Sequence, residues 1–154
     1  MRFQIPAGWT VARIRAGRGD KKEDICTIRV RPSNIAELIK KNDDVDLYTI
    51  VIISTRRNFD SAAEAGYFRR KENGWIVLGR TDIESPAKEI SSPKWIGLQG
   101  TATVGCYREA SGYAGLCEIP RAMLNDRGTS AIFYGSPQSE TEFNSILRTF
   151  EFTD

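Results

Sequence analysis

Period-two alternation of apolar and polar side chains recurs along this chain, and that period commits most of it to β-sheet. Val11-Ala12-Arg13-Ile14-Arg15-Ala16 and Ile25-Cys26-Thr27-Ile28-Arg29-Val30-Arg31 both alternate, and the polar loop Gly17 to Asp24 joins them as a predicted hairpin. Ala12, Ile14, Cys26, Ile28 and Val30 are then expected to face the core, with Arg13, Arg15, Arg29 and Arg31 together on the opposite face. Leu47 to Ser54 is apolar on both sides, as a central strand covered twice would be.

The turn residues divide the rest. Tyr67 to Glu72, then Asn73-Gly74, then Trp75 to Gly79 reads as a hairpin closed by a two-residue Asn-Gly turn. Ser61 to Ala65 is a helical turn before it, or part of a longer helix that takes in Tyr67 and Phe68. Asp82 to Lys94, carrying Pro86, Pro93, Ser85, Ser91 and Ser92, reads as a loop. Trp95 to Glu109 is a long strand, Ala110 to Tyr113 turns, and Ala114 to Ile119 returns antiparallel. A further strand, Thr129 to Gly135, follows the turn at Asp126-Arg127-Gly128.

Two segments carry helix signals. Asn34 and Glu37 stand at capping-box spacing before Ile35 to Lys41, and Lys40 and Lys41 suit the negative end of the helix dipole. Ser139-Glu140-Thr141-Glu142 has the same form, and Phe143, Ile146, Leu147 and Phe150 follow it as an apolar stripe. Phe150 and Phe152 are expected to close the chain as a short final strand. The resulting expectation is one α+β domain over residues 1–154, a curved antiparallel sheet of about six to seven strands flanked by two or more helices.

Composition narrows the chemistry. The chain has no histidine, which removes Ser-His-Asp and Cys-His catalysis, HExxH zinc sites and the usual general base near neutral pH. Net charge is +2, too balanced for a dedicated nucleic-acid binder, so electrostatic recognition must come from local patches. No run reaches the length of a membrane span. The opening Met1-Arg2-Phe3-Gln4-Ile5-Pro6 lacks an apolar signal core, which points to the cytoplasm, or to the periplasm where a leader has been removed.

The arginine face of the first hairpin is the leading candidate site. Cross-strand neighbours lie about 5 Å apart, so Arg13, Arg15, Arg29 and Arg31 form one basic patch. Its bland reading is a solvated strand face whose charges deter edge-to-edge aggregation. As a binding surface it favours an acidic protein over nucleic acid, because no aromatics are interleaved for base stacking. A second basic cluster, Arg56-Arg57 with Arg69-Arg70-Lys71, brackets Tyr67 and Phe68, so Tyr67, Phe68, Arg69 and Arg70 are the second candidate contact set.

Weaker patterns are also present. Asp43-Asp44-Val45-Asp46 resembles a magnesium-binding cluster but more often ends a helix, and no metal or cofactor is expected. Ser85-Pro86-Ala87-Lys88 has the Ser-x-x-Lys spacing of acyl-transferring enzymes without a following Lys-Thr-Gly. Arg18-Gly19-Asp20 and Gly17-Arg18-Gly19 are short matches that chance supplies in turns. Three cysteines leave an odd count. In a symmetric hairpin register Cys106 sits opposite Cys117, either as a disulfide or as two small buried hydrophobes.

Phe3, Ile5, Pro6, Gly8 and Trp9 at the front, and Phe143, Ile146, Leu147, Phe150 and Phe152 at the back, resemble the Mog1/PsbP-like fold with its bacterial DcrB-like members. The resemblance implies a curved antiparallel sheet flanked by helices and a non-catalytic role in binding another protein; it carries no binding residue across. The functional expectation is a protein-binding module that does no chemistry of its own, in the specific form of a bacterial immunity protein neutralising a cognate toxin with an acidic surface. An accessory or adaptor role and a histidine-free enzyme or small-ligand binder are the alternatives. Oligomeric state stays open.

Overall fold

A computed structural model describes residues 1–18, 24–40, 47–79, 83–108 and 112–153; for Arg13, Arg18, Asp24, Ile39, Arg108 and Tyr113 it describes the backbone. Nine strands and three helices are found among the described residues. They are β1 (Trp9–Arg18), β2 (Asp24–Pro32), α1 (Ile35–Lys40), β3 (Ile50–Thr55), α2 (Phe59–Ala65), β4 (Phe68–Lys71), β5 (Gly74–Leu78), β6 (Glu84–Ser92), β7 (Trp95–Arg108), β8 (Tyr113–Asp126), β9 (Thr129–Tyr134) and α3 (Glu140–Thr149). The strands form one sheet in the order β1-β2-β3-β9-β8-β7-β6-β5-β4, with every pairing antiparallel. The α+β class and antiparallel sheet agree with the sequence, whereas the expected six to seven strands are too few. None of the helices among the described residues is long and apolar enough to cross a membrane.

The one strand among the described residues whose segment was read from sequence as a loop is β6. Pro86 and Pro93 suggested punctuation, yet only Pro93 serves a turn, between Ser92 and its partner Trp95. Pro86 lies within the strand opposite Ile76, and partners on both sides, β5 and β7, hold β6 extended. Neighbouring strands here override a local breaker. Similarly, β8 runs on through Pro120 to Asp126, well past Ile119, because β9 pairs with its second half.

Alternation sorts the side chains onto two faces. One packs against α3 through Ile28, Val30, Ile50, Ile52, Leu124 and Phe133, which meet Phe143, Ile146 and Leu147. The other packs against α2 through Val77, Leu98, Met123 and Ile132, which meet Ala62 and Ala63. Helix α2 touches β4, β8 and β9. Flat strands spaced about 4.8 Å would spread those contacts well beyond the width of a helix, so this half of the sheet bends around α2.

Local details differ from the expected turns and caps. In the β4–β5 hairpin Lys71 pairs with Gly74, so the two turn residues are Glu72 and Asn73, and Gly74 opens β5 with φ of 125°. The true two-residue turn with positive φ at both positions is Arg127-Gly128 (φ 46° and 85°), between paired Asp126 and Thr129. Ser139 does not cap α3 with its side chain. Its hydroxyl is fully buried and bonds backwards, accepting from the Ser136 N–H at 2.8 Å and donating to the Ser136 carbonyl at 3.0 Å. Phe150 and Phe152 do not make a final strand; Glu151 between them forms a single antiparallel bridge to Arg2. Phe3, outside any strand, stacks on Phe150.

Candidate protein-binding face

A β-bulge shapes the first hairpin. Val11 pairs with Val30 and Arg13 pairs with Arg29, which leaves Ala12 as the extra residue. Strict alternation would have put Val11 on the side of the arginines; the bulge turns it onto the α3 face, where it packs against the core. Ala12 is exposed rather than buried, and Ile14 is 65% exposed, so two of the five expected core positions of this hairpin are corrected. Ile28 and Val30 are buried and Cys26 is half-buried.

Beyond the bulge the register places Arg13, Arg15, Arg29 and Arg31 on one face, the face that carries α2 further along the sheet. Arg15 and Arg29 are exposed, and Arg31 is half-buried with Nε in no hydrogen bond among the described residues. For Arg13 the backbone register alone speaks.

The same register carries a single row of residues across all nine strands: Arg13, Arg29, Val51, Tyr134, Arg121, Gly100, Ala87, Trp75 and Arg70. Arg13 and Arg29 of the first basic cluster and Arg70 of the second thus stand on one face. At the centre Arg121, 6% exposed, lies against two aromatic rings, its guanidinium carbon 4.5 Å from the Tyr67 centroid and 5.3 Å from that of Tyr134. The Tyr134 hydroxyl donates to the Ala65 carbonyl at 2.8 Å. Burial raises its pKa above 10.0, opposed by the charge of Arg121. At the far end Arg70 lies over Trp75 at 5.7 Å, and the indole N–H donates to Glu89 at 3.1 Å.

The second contact set divides. Tyr67 is exposed and holds a left-handed backbone (φ 64°) that costs a tyrosine energy. Arg70 shares its face, but Arg69, one residue earlier, points to the other side of the sheet. Phe68 is 3% exposed and belongs to the core beside Ala62 and Val77, so it makes no surface contact in this fold. A longer helix through Tyr67 and Phe68 is likewise corrected, because α2 stops at Ala65 and Gly66 turns the chain. Arg121 was not singled out from sequence: it sits among apolar residues of β8, and only the register brings two tyrosines to it.

Ser85 and Lys88 fall on opposite faces of β6, which separates the Ser-x-x-Lys pair. Asp43, Asp44 and Asp46, like Gly19 and Asp20, lie outside the described residues. Among the described residues no three carboxylate or thiol side chains gather as a metal site would require.

Cys106 and Cys117 are joined by a disulfide with Cα atoms 5.7 Å apart. They are diagonal, not opposite, since Cys106 pairs with Gly115 and Cys117 with Val104. Residues 101–108 of β7 and 113–120 of β8 pair with each other beyond the reach of β6 and β9, so the bond staples a two-stranded arm.

An open groove of about 890 Å³ lies at the opposite ends of β1 to β3, lined by Cys26, Thr55, Arg56, Arg127 and Phe152 among others. Its charged lining residues are Arg56, Asp126 and Arg127, and Arg127 pairs with Asp126. No protein-family model, curated protein or solved structure matches this chain.

Proposed function

We propose that this chain is a non-catalytic protein-binding module that engages an acidic partner surface through the arginine face of β1 and β2. One observation carries the reading: Arg15 and Arg29 stand exposed on a single face of the β1–β2 pair, with Arg31 beside them. Like charges at such spacing repel, a standing cost that an acidic partner would turn into attraction. Guanidinium groups suit the task, because each grips a carboxylate with two parallel hydrogen bonds. The specific form we favour is neutralisation of a toxin, where capture must be fast and charge steering raises the association rate.

The test compares the wild-type chain with the double variant Arg15→Ala/Arg29→Ala. Each is used as bait in an extract of the source cells, captured proteins are identified by mass spectrometry, and the affinity of the leading partner is then measured across salt concentrations. The variant should bind about tenfold or more weakly. Its melting temperature should be nearly unchanged, since exposed strand charges contribute little to stability. The captured partner should be inhibited stoichiometrically in its own assay. Equal affinity of both proteins, with no dependence on salt, would remove the arginine face from the function.

A further inference from the structure

The edge of the sheet next to those arginines is open. Strand β1 is an end strand, and among the described residues no other strand pairs with its outer side. Its outward-pointing amide and carbonyl groups are a template on which a further strand can form. The bulge at Ala12 interrupts that template, which leaves residues 13–18 as a straight run. Six residues span roughly 20 Å at the rise of a strand, enough for a short extended segment.

Side chains along this edge alternate sharply in chemistry. Toward the α3 face, Ile14 continues a core row that runs Ile28, Ile52 and Phe133 through direct cross-strand pairs. Those three are buried, whereas Ile14 is 65% exposed, since among the described residues no strand lies beyond it. Toward the other face stands Arg15, with Arg29 one strand inward. A single exposed isoleucine is ordinary. An isoleucine that ends a core row at an open edge, with cations alternating beside it, defines a recognition pattern.

That pattern selects among occupants. A second copy of this chain, edge to edge, would set arginine against arginine, and like charges directly opposite are destabilising. A segment with acidic side chains on one face and apolar ones on the other would satisfy both sides at once.

We propose that the outer edge of β1 accepts an extended acidic segment of the partner protein as an added strand, its carboxylates over Arg15 and Arg29 and its apolar residues beside Ile14. Backbone pairing supplies affinity in this mode and the alternate side chains supply specificity. The proposal deepens the acidic-partner reading above and rests on it.

The experiment uses the full chain and four synthetic peptides of about eight residues: alternating glutamate and valine, the same peptide N-methylated on alternate residues in each of the two frames, and alternating lysine and valine. Fluorescence anisotropy gives affinity, and hydrogen exchange read by mass spectrometry gives the site. The glutamate peptide should bind and slow amide exchange within residues 13–18, and N-methylation in the ladder-facing frame should weaken it about tenfold or more. Ile14→Asp, at an exposed position, should weaken it comparably without lowering the melting temperature. Equal binding of the N-methylated forms, with both still weakened by Arg15→Ala/Arg29→Ala, would overturn strand addition and leave the acidic-partner reading standing. A glutamate peptide that binds no better than the lysine peptide would overturn both.

Discussion

Arg121 and Tyr134 are direct cross-strand partners on β8 and β9, and the guanidinium of the first lies 5.3 Å from the ring centroid of the second. Tyr67 approaches the same guanidinium at 4.5 Å and meets Tyr134 edge-on at 6.4 Å between centroids. The cation is thus held by aromatic faces, a contact worth about 0.5 to 2 kcal/mol that strengthens as water is removed. Tyr134 also ties the sheet to α2 through Ala65.

Tyr134→Phe removes that tie and leaves the Ala65 carbonyl without its tyrosine donor. It should cost about 1–2 kcal/mol in urea unfolding. The pH dependence carries a sign. The folded-state pKa of Tyr134 is raised by burial, so its contribution is fully present below the unfolded value near 10.0 and is lost as pH rises through the folded one. Wild-type protein should therefore lose stability more steeply than Tyr134→Phe above that pH, and parallel curves would show that the phenol titrates alike in both states.

Leu147 is 5% exposed within the core between α3 and the sheet. Leu147→Ala should destabilise by roughly 2–5 kcal/mol through loss of burial and the cavity left behind. Chemical denaturation measures it; a change below about 0.5 kcal/mol would mean that α3 does not pack as described.

Thiol counting tests the stapled arm. With Cys106 and Cys117 bonded and Cys26 free, alkylation of unfolded, unreduced protein should add one label, and reduction should raise this to three. Three labels without reduction would show the arm to be unstapled. Closing a loop of this length restricts the unfolded chain by up to about 3 kcal/mol, so Cys106→Ser/Cys117→Ser should unfold at lower urea.

Glu151 joins the two ends of the chain. Its carboxylate accepts hydrogen bonds from Arg2 and Lys94, and these hold its pKa below the usual 4.5. That contribution is present above about the unfolded value and disappears as pH falls through the lowered one. Glu151→Gln should flatten the acid limb of the stability curve and speed amide exchange at Arg2. Identical acid limbs in the two proteins would show that the clasp does not contribute.

Much of this fold is visible one segment at a time. Alternation in Val11–Ala16 and Ile25–Arg31 specifies strands, the stripe Phe143/Ile146/Leu147 specifies a helix with one apolar face, and Gly128 marks a turn. These are properties of a few consecutive side chains and the backbone that carries them, so they survive without knowledge of neighbours. The shared face of Arg13, Arg15, Arg29 and Arg31 is likewise local, because period two and one hairpin suffice to place them.

What lay beyond the sequence depends on partners distant along the chain. β6 is a strand because β5 and β7 flank it, despite Pro86. One bulge residue, Ala12, decides that Val11 turns inward, and Ile14 stays exposed at an end strand that pairs with no further strand among the described residues. The Ser139 hydroxyl is buried against Ser136, so its bonding followed the packing and not the capping pattern. Arg121 meets Tyr67 and Tyr134 only through the register of β8 and β9 and the bend of the sheet around α2. Local sequence sets which way a side chain can point, but burial is a property of what lies opposite, and only the assembled sheet determines that.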